Sequence, residues 1–572
     1  MNDLMTIAFL ILLGGCIALE RKATNEKAPD EARVRLPWDG REKMVFWGLL
    51  LLAFVIRIWG FGRIPGGMNQ DGAMAAVDAR ALANYGTDRF GTYMPVHFTA
   101  WGYGQMSVLL SYFMVPFIKL FGLNVLSARL PMLLFSMLGL AALYGIGRML
   151  LGPAQAAVFL GFGALNPWHF MQSRWALDCN LFPHVFLLGL FALLMGIRGR
   201  KRWIYGSMVF FALCMYAYGI AFYTVPFFLI FMAAYLLVRK ILKWSDVLWC
   251  VGIYGLISWP ICLTMMINAF GWKTMRTFFC TMPYFPYSVR SKDILFFSEE
   301  PGKQFLNNLN CLWQIYVTGD YLPWNTIQGF GVITKCFLPF VLLGVYACIR
   351  RIREESDQRK KATFVAVLAF FCVGNLSGVI TANVNVNRIN FLHYSLLILG
   401  SLGICFAARW IRKSGYVILA AFLVMSIFFL RAYFTEHAQV LKQYYYQDFL
   451  EAVSFAGNGE WNNCQAFVIT PDTQYEGAVG VTEILTQFAL DVDAELYQGK
   501  KTDENGLTYG EKYRYANALP DEMDPAVPVA YVLRTSRLEG YEKGRNAEQY
   551  CINVFGDYCV AVPWQNVIRW KK

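Results

Sequence analysis

The sequence predicts an all-α polytopic membrane protein with a C-terminal soluble α/β domain. Three observations predict it. Of 572 residues, 57% are hydrophobic and only 16% charged, where a soluble domain averages about 25% charged. Apolar runs of about 20 residues, long enough to cross a hydrocarbon core of about 30 Å, recur along the chain. The charge is also divided: from residue 435 onward there are 12 Lys/Arg against 20 Asp/Glu, whereas the whole chain has 51 against 39. A basic apolar body is therefore joined to an acidic tail of ordinary composition. The same numbers exclude a disordered, collagen-like or disulfide-stapled chain. Nucleic-acid binding is excluded because the basic residues punctuate apolar runs and gather on no soluble face.

Taken in order, about 12 transmembrane helices are expected, at 5–19, 44–62, 130–150, 153–170, 182–197, 203–219, 221–238, 246–269, 334–350, 362–381, 389–408 and 415–434. Basic clusters at 198–202, 239–243, 350–361 and 409–413 belong in the cytoplasm by the positive-inside rule. The loops 63–129, 171–181, 270–333 and 382–388 then lie outside, as does the tail. The stretch 106–121 is apolar, but a crossing there would invert every later loop, and Pro116 and Lys119 weaken it. It is expected to lie in the outer interface. The first run lacks a basic leader and is followed by Arg21, Lys22, Lys27, Arg33 and Arg35, which reads as an uncleaved anchor with its N-terminus outside. The organisation is thus an anchor and cytoplasmic linker (1–43), a membrane body (44–434) with large outer loops at 63–129 and 270–333, and an extracytoplasmic α/β domain (435–572), in a multi-pass protein of the plasma membrane.

In the tail, TEHAQVLKQYYYQDFLEAVSFA has helical periodicity, and QAFVIT and VPVAYVLRT read as short buried strands. YCINVFGDYCVAV reads as a hairpin turning at Gly556-Asp557. None of the 14 cysteines forms a C-x-x-C; most sit in apolar runs as small core residues. Cys551 and Cys559 could bridge if their strands bring them together. Five scattered histidines make no metal site.

Ionisable residues at the outer surface are the candidates for chemistry, because charge at membrane depth is costly and is usually functional. Asp71, in GGMNQDGAMAAVDARALANYG, opens a helical pattern running through Ala83 and ending near Gly86; N-capping competes with chemistry as its role. Asp78 and Arg80 on the same helix read as surface or ion-pair residues. Asp178, in NPWHFMQSRWALDCNLF, shares a short outer loop with Arg174, His169 and Trp168. Lys273, Arg276 and Arg290 stand among many aromatic rings: cations suit a phosphate, rings suit an isoprenoid or sugar face, and an interfacial lipid-facing loop would use the same residues. Arg388, in NVNVNRINFL, could bind phosphate bidentately or snorkel.

Together these pieces resemble the GT-C membrane glycosyltransferases, near glycosyltransferase family 39 and its aminoarabinose-transferase-like branch. The resemblance rests on GMNQDGAMAAVDARAL in the first outer loop, PVHFTAWGYGQMSVLLSYFMVPFIKLFGLNVLSARLPMLL after it, and NPWHFMQSRWALDCN as the second acidic loop. It covers roughly residues 44–434. It implies an inverting transfer of a sugar from a polyprenyl-phosphate carrier to a hydroxyl acceptor on an envelope polymer, glycolipid or protein, at the outer face. It implies Asp71 as catalytic base, Asp178 as a second acidic site residue and Arg388 as a contact to the donor phosphate; by their own charge and position, Arg174, Lys273, Arg276 and Arg290 are further substrate-binding candidates. One departure matters. The family's acidic motif often reads Asp-Glu, and here Gly72 follows Asp71, which leaves use of a divalent metal open and implies no other cofactor. A transporter or flippase of lipid-linked sugar, and a non-catalytic scaffold of envelope glycan assembly, are the rival readings.

Overall fold

The computed structural model describes residues 2–22, 38–102, 104–286, 294–411, 413–473, 479–518, 522–542 and 547–568. Helices α1 (Asn2–Lys22) and α2 (Gly40–Ile58) open the chain. The first long loop carries α3 (Gln70–Tyr85), the two-stranded ladder of β1 (Phe98–Thr99) and β2 (Gln105–Met106), and α4 (Leu109–Phe121). Then come α5 (Val125–Leu151), α6 (Pro153–Ala164), α7 (Pro167–Gln172), α8 (Asp178–Ile197), α9 (Arg202–Cys214), α10 (Ala221–Val238) and α11 (Trp244–Phe270). The second long loop holds the hairpin β3 (Met275–Arg276) and β4 (Thr281–Met282), then α12 (Pro301–Val317). The body ends with α13 (Leu338–Glu354), α14 (Gln358–Ile380), α15 (Asn390–Trp410) and α16 (Ser414–Phe434).

Among the described residues eight helices are long and apolar enough to cross a membrane: α1, α5, α8, α10, α11, α14, α15 and α16. The other four expected spans correspond to α2, α6, α9 and α13. Helices α6 and α9 have only 12 and 13 residues, and α2 and α13 carry charges at their ends, Arg41, Glu42, Lys43 and Arg57 in one, Arg350, Arg351 and Arg353 in the other. The stretch expected as one span at 153–170 is two helices. Asn166 accepts the His169 N–H at 3.0 Å and Pro167 takes the first helical position, a combination that starts a new helix. The apolar 106–121 stretch forms the 13-residue α4, packed on α3 and α5.

Helices α8 and α15 run through the centre, with 83% of their most apolar stretches buried, against 28% for α16 at the periphery. Phe186, Phe370 and Phe391 meet between α8, α14 and α15 with ring centroids 4.5–4.9 Å apart, within the range where aromatic pairs attract.

The tail contains α17 (Glu436–Tyr444), α18 (Gln447–Ala456), β5 (Ala466–Ile469), α19 (Val479–Ala489), α20 (Ala494–Tyr497), α21 (Tyr509–Lys512), β6 (Tyr513–Tyr515), β7 (Val529–Arg534), α22 (Leu538–Glu542), β8 (Tyr550–Phe555) and β9 (Tyr558–Pro563). Its five-stranded sheet has the order β6-β5-β7-β9-β8, with β5 parallel to both neighbours and the other pairings antiparallel. Alternate residues serve two cores: Phe467, Ile469, Val532 and Val560 face the helices, and Val468, Tyr531, Leu533 and Cys559 the other side. The helical pattern at 435–456 breaks into α17 and α18 at Tyr446, whose φ is 50°. Strands β8 and β9 turn at Gly556-Asp557. Their register sets Cys551 opposite Val562 and Cys559 opposite Val554, so pairing the strands does not join the two thiols.

Candidate active site

Helix α3 begins where Asn69 accepts the Gly72 N–H at 3.2 Å, and it stops at Gly86, whose φ of 67° is left-handed. Asn69 is therefore the N-cap. Asp71 lies one residue inside the first turn, where the helix dipole favours a carboxylate, and the capping role weighed for it belongs to its neighbour. The indole N–H of Trp101, from the turn between β1 and β2, donates to Asp71 Oδ1 at 2.7 Å. Asp178 opens α8 in the same way. Its Oδ1 accepts the Cys179 N–H at 2.6 Å, and the residue is 9% exposed.

The two helix starts are pressed together at Gly72. A Cβ there would lie 2.6 Å from the Ala176 carbonyl oxygen, 2.7 Å from Asn69 Oδ1 and 2.9 Å from Met68 Sδ. No side chain fits at position 72, which is a physical reason for glycine where the related motif often has Glu. Cys179, next to Asp178, is in electrostatic reach of both Asp178 and Asp71. Close approach of backbones thus gathers the two acids into one place. They are the residues there that could supply oxygen ligands to a cation; among the described residues no cluster of three His, Cys, Asp or Glu suits a metal ion.

Three arginines with no exposed surface lie at the chain that leads into α3, and two of them, Arg129 and Arg174, hold it. Arg57 donates to the carbonyls of Ala53 and Ala164 at 3.1 and 2.9 Å. Arg129 donates to Pro65 O and Gly67 O at 2.8 and 2.6 Å. Arg174 donates to Ile64 O at 2.8 and 3.1 Å, and also to Arg57 O. Aromatic faces cover them: Tyr445 lies 5.7 Å from Arg129, and Phe434 lies 5.4 Å from Arg174. Buried cations need such partners. Arg174, expected at the substrate, is thereby a brace for the 57–67 segment.

Below this, Arg57 donates to His169 Nδ1 at 2.9 Å, and Tyr394 Oη lies 2.8 Å from His169 Nε2 and 2.7 Å from His184 Nδ1. Because His169 Nδ1 must accept, its Nε2 donates to Tyr394, whose hydroxyl then donates to His184. Asn390 ties the start of α15 to this region, donating to Cys179 O at 3.1 Å and accepting from Trp168 at 3.0 Å and Gln172 at 2.7 Å.

The remaining candidates are dispersed. Arg276 is exposed on the β3–β4 hairpin, 4.7 Å over the Tyr93 ring; this hairpin joins the first long loop through Val96 N–H to Thr281 O at 3.0 Å. Lys273 is exposed just before it. Arg388 is half-buried, donating to Ala382 O at 2.8 Å and within electrostatic reach of Tyr223. Arg290 lies outside the described residues. Sequence reasoning missed Trp101, Asn390, Arg57 and Arg129. The one signal available was polar residues set in apolar surroundings, as for Arg57 and Asn390.

The tail docks on α3. Arg80 makes a two-pronged ion pair with Asp491 at 2.8 and 3.0 Å, and Tyr85 donates to Asp493 at 2.8 Å. Asp78 is fully buried and holds Arg89 at 2.5 Å. Burial raises the Asp78 carboxyl to about 7 against the pull of Arg89, and burial also raises Asp88 and Glu483. At the start of α19, a Cβ on Gly480 would lie 3.3 Å from Gly102 N, so the tail also touches the turn carrying Trp101.

The family of dolichyl-phosphate-mannose-protein mannosyltransferases matches residues 106–263. In shape the chain is similar to ArnT from Cupriavidus metallidurans in the apo state, with TM-score 0.51 and 12% identity over 91% of this chain and 98% of that one. It is equally similar to ArnT bound to undecaprenyl phosphate, with TM-score 0.50, 14% identity and the same coverage. The chain has the fold of these ArnT structures. No curated protein matches its sequence. The helical body is that of an integral membrane protein, and because 91% of this chain is covered, the likeness to ArnT reaches into the tail as well as the helices.

Proposed function

We propose that the protein is an inverting glycosyltransferase that moves a sugar from a polyprenyl phosphate to an acceptor hydroxyl at the outer face of the plasma membrane. The observation that carries this reading is the meeting of Asp71 and Asp178 at two helix starts that touch at Gly72 and Ala176. The family match and the GT-C fold support it, as does the undecaprenyl phosphate bound in one ArnT structure.

In this mechanism Asp71, oriented by Trp101, takes the proton of the acceptor hydroxyl as its oxygen attacks the anomeric carbon. The bond from that carbon to the phosphate oxygen breaks on the opposite face, and the lipid phosphate leaves with the electron pair. The sugar is thereby inverted, and Asp71 later returns its proton to water. Asp178 orients donor or acceptor. Arg388, Arg276 and Lys273 are the candidate cations for the phosphate, whose developing charge calls for such groups.

Purified protein given a polyprenyl-phosphate sugar should transfer or hydrolyse it and ignore nucleotide sugars. Asp71→Asn should lower turnover by about 10²–10⁴ at matched folded concentration. Its stability should hold, because Asn69 keeps the cap. An Asp71→Asn protein within a few-fold of the parent would remove Asp71 from the mechanism and favour a transporter or scaffold.

A further inference from the structure

At the other end of the membrane body lies a groove of about 930 Å³ between α6, α13, α15 and α16. Its distance from the acids follows from α15. Asn390 in the first turn touches the start of α8, whereas Arg409, which lines the groove, comes 19 residues later, about 28 Å along a helix rising 1.5 Å per residue. The walls are apolar, with Phe162, Phe406 and Phe422 among them, and two arginines, Arg351 and Arg409, stand where α13 and α15 end. Among the described residues no Asp or Glu lines it.

The nearby cations have acidic partners: Arg350 pairs with Glu20 and Glu354, and Arg148 pairs with Glu42. Arg409 is exposed and has no ion pair among the described residues. The groove is as large as the upper range of ligand pockets, roughly 300–1,000 Å³. An apolar cleft between membrane helices that ends in guanidinium groups matches a lipid chain with an anionic head, the arrangement by which basic pockets between spans hold phosphate-headed lipids.

The geometry points to a binding site for an anionic phospholipid of the leaflet opposite the candidate active site, with an acyl chain in the groove and its phosphate at Arg409 and Arg351. This site is separate from the proposed sugar transfer and does not depend on it.

Gly161 gives a clean test. It lines the groove, and a Cβ there meets nothing within 4 Å, so Gly161→Leu can place a side chain in the cleft from an open position. The change also gains helix propensity, because Gly is a much poorer helix former than Ala and Leu is close to Ala. The full-length protein is reconstituted with equal amounts of phosphatidylglycerol and phosphatidylcholine. It is then returned to detergent, and the retained lipid is measured by mass spectrometry.

The parent should retain phosphatidylglycerol in preference to phosphatidylcholine. Arg409→Gln should cut that preference about five-fold, the worth of one basic residue near an anionic surface; Arg409→Lys should keep most of it. Gly161→Leu should lose the retained lipid and keep its fold. Retained lipid that mirrors the bulk mixture would mean an ordinary lipid annulus and overturn the proposal. So would enrichment indifferent to both Arg409→Gln and Gly161→Leu, or a polyprenyl phosphate retained in the groove that phosphatidylglycerol does not displace.

Discussion

Gly72→Ala tests whether the contact between α3 and α8 builds the site. The added Cβ would lie 2.6 Å from Ala176 O, where ordinary contact starts at 3.4 Å, so the helix starts must part by about 0.8 Å to relieve the repulsion. The nearest obstacle is backbone, with Asn69 Oδ1 and Met68 Sδ close behind, so no single flexible side chain can absorb the change. Two effects oppose each other. Ala favours a helix over Gly by about 1 kcal/mol, and overpacking costs about 1–3 kcal/mol; net stability should fall by about 0–2 kcal/mol. Activity should fall much further, because a misplacement of about 1 Å at reacting groups costs about 10²-fold. The expected result is a folded protein with turnover down about 30- to 100-fold. Gly72→Glu, which recreates the Asp-Glu pair common in related motifs, should be worse than Ala. The assay is transfer from a polyprenyl-phosphate sugar beside a thermal melt of the same preparation. A Gly72→Ala protein that melts higher and turns over normally would refute the packing argument.

Asp178→Asn should lower turnover by less than Asp71→Asn, since an amide still accepts the Cys179 N–H; equal or larger losses would exchange the roles given to the two acids. Trp101→Phe keeps the ring and deletes the donor to Asp71. A hydrogen bond to a charged group is worth about 1.5–3 kcal/mol, so the acidic limb of kcat/KM should move up by about one to two pH units, and an unmoved limb would show that the contact does not tune the base. Burial raises the Asp78 carboxyl from 3.8 to about 7 even against the pull of Arg89, so between about pH 4 and 7 the folded protein binds more protons there than the unfolded chain does. Stability from this group is complete below about pH 4 and is lost as pH rises through about 7; melting temperature should drop between pH 5 and 8, more steeply in the parent than in Asp78→Asn. Cysteines introduced at exposed Lys201 and Ser356 should resist an impermeant reagent, and those at exposed Gly302 and Lys500 should react; the opposite pattern would invert the topology and move the candidate site to the cytoplasmic face.

Local chemistry made much of this protein legible in its sequence. Composition and the division of charge separate the membrane body from the tail, because a bilayer and water select different residues over every stretch of chain. Helix α3 is readable to within two residues because Gly86 can take the left-handed turn that ends it, and the β8–β9 hairpin is readable from Gly556-Asp557. Asp71 and Asp178 stand out because carboxylates beside apolar runs are rare.

What tertiary structure decided lies where distant segments meet. That Asn69 and not Asp71 caps α3 is a choice between residues two apart, either of which can cap, and geometry alone separates them. Arg174 resembles a phosphate ligand in sequence, yet its donors are taken by the carbonyls of Arg57 and Ile64, more than 100 residues away. Trp101 reaches Asp71 across 30 residues, and the role of Gly72 becomes visible only when the Ala176 carbonyl lies against it. Hydropathy and periodicity record what each segment prefers as its solvent and its local conformation. They do not record which carbonyl will face which guanidinium, because that pairing is set by how whole helices pack, and there the site is made.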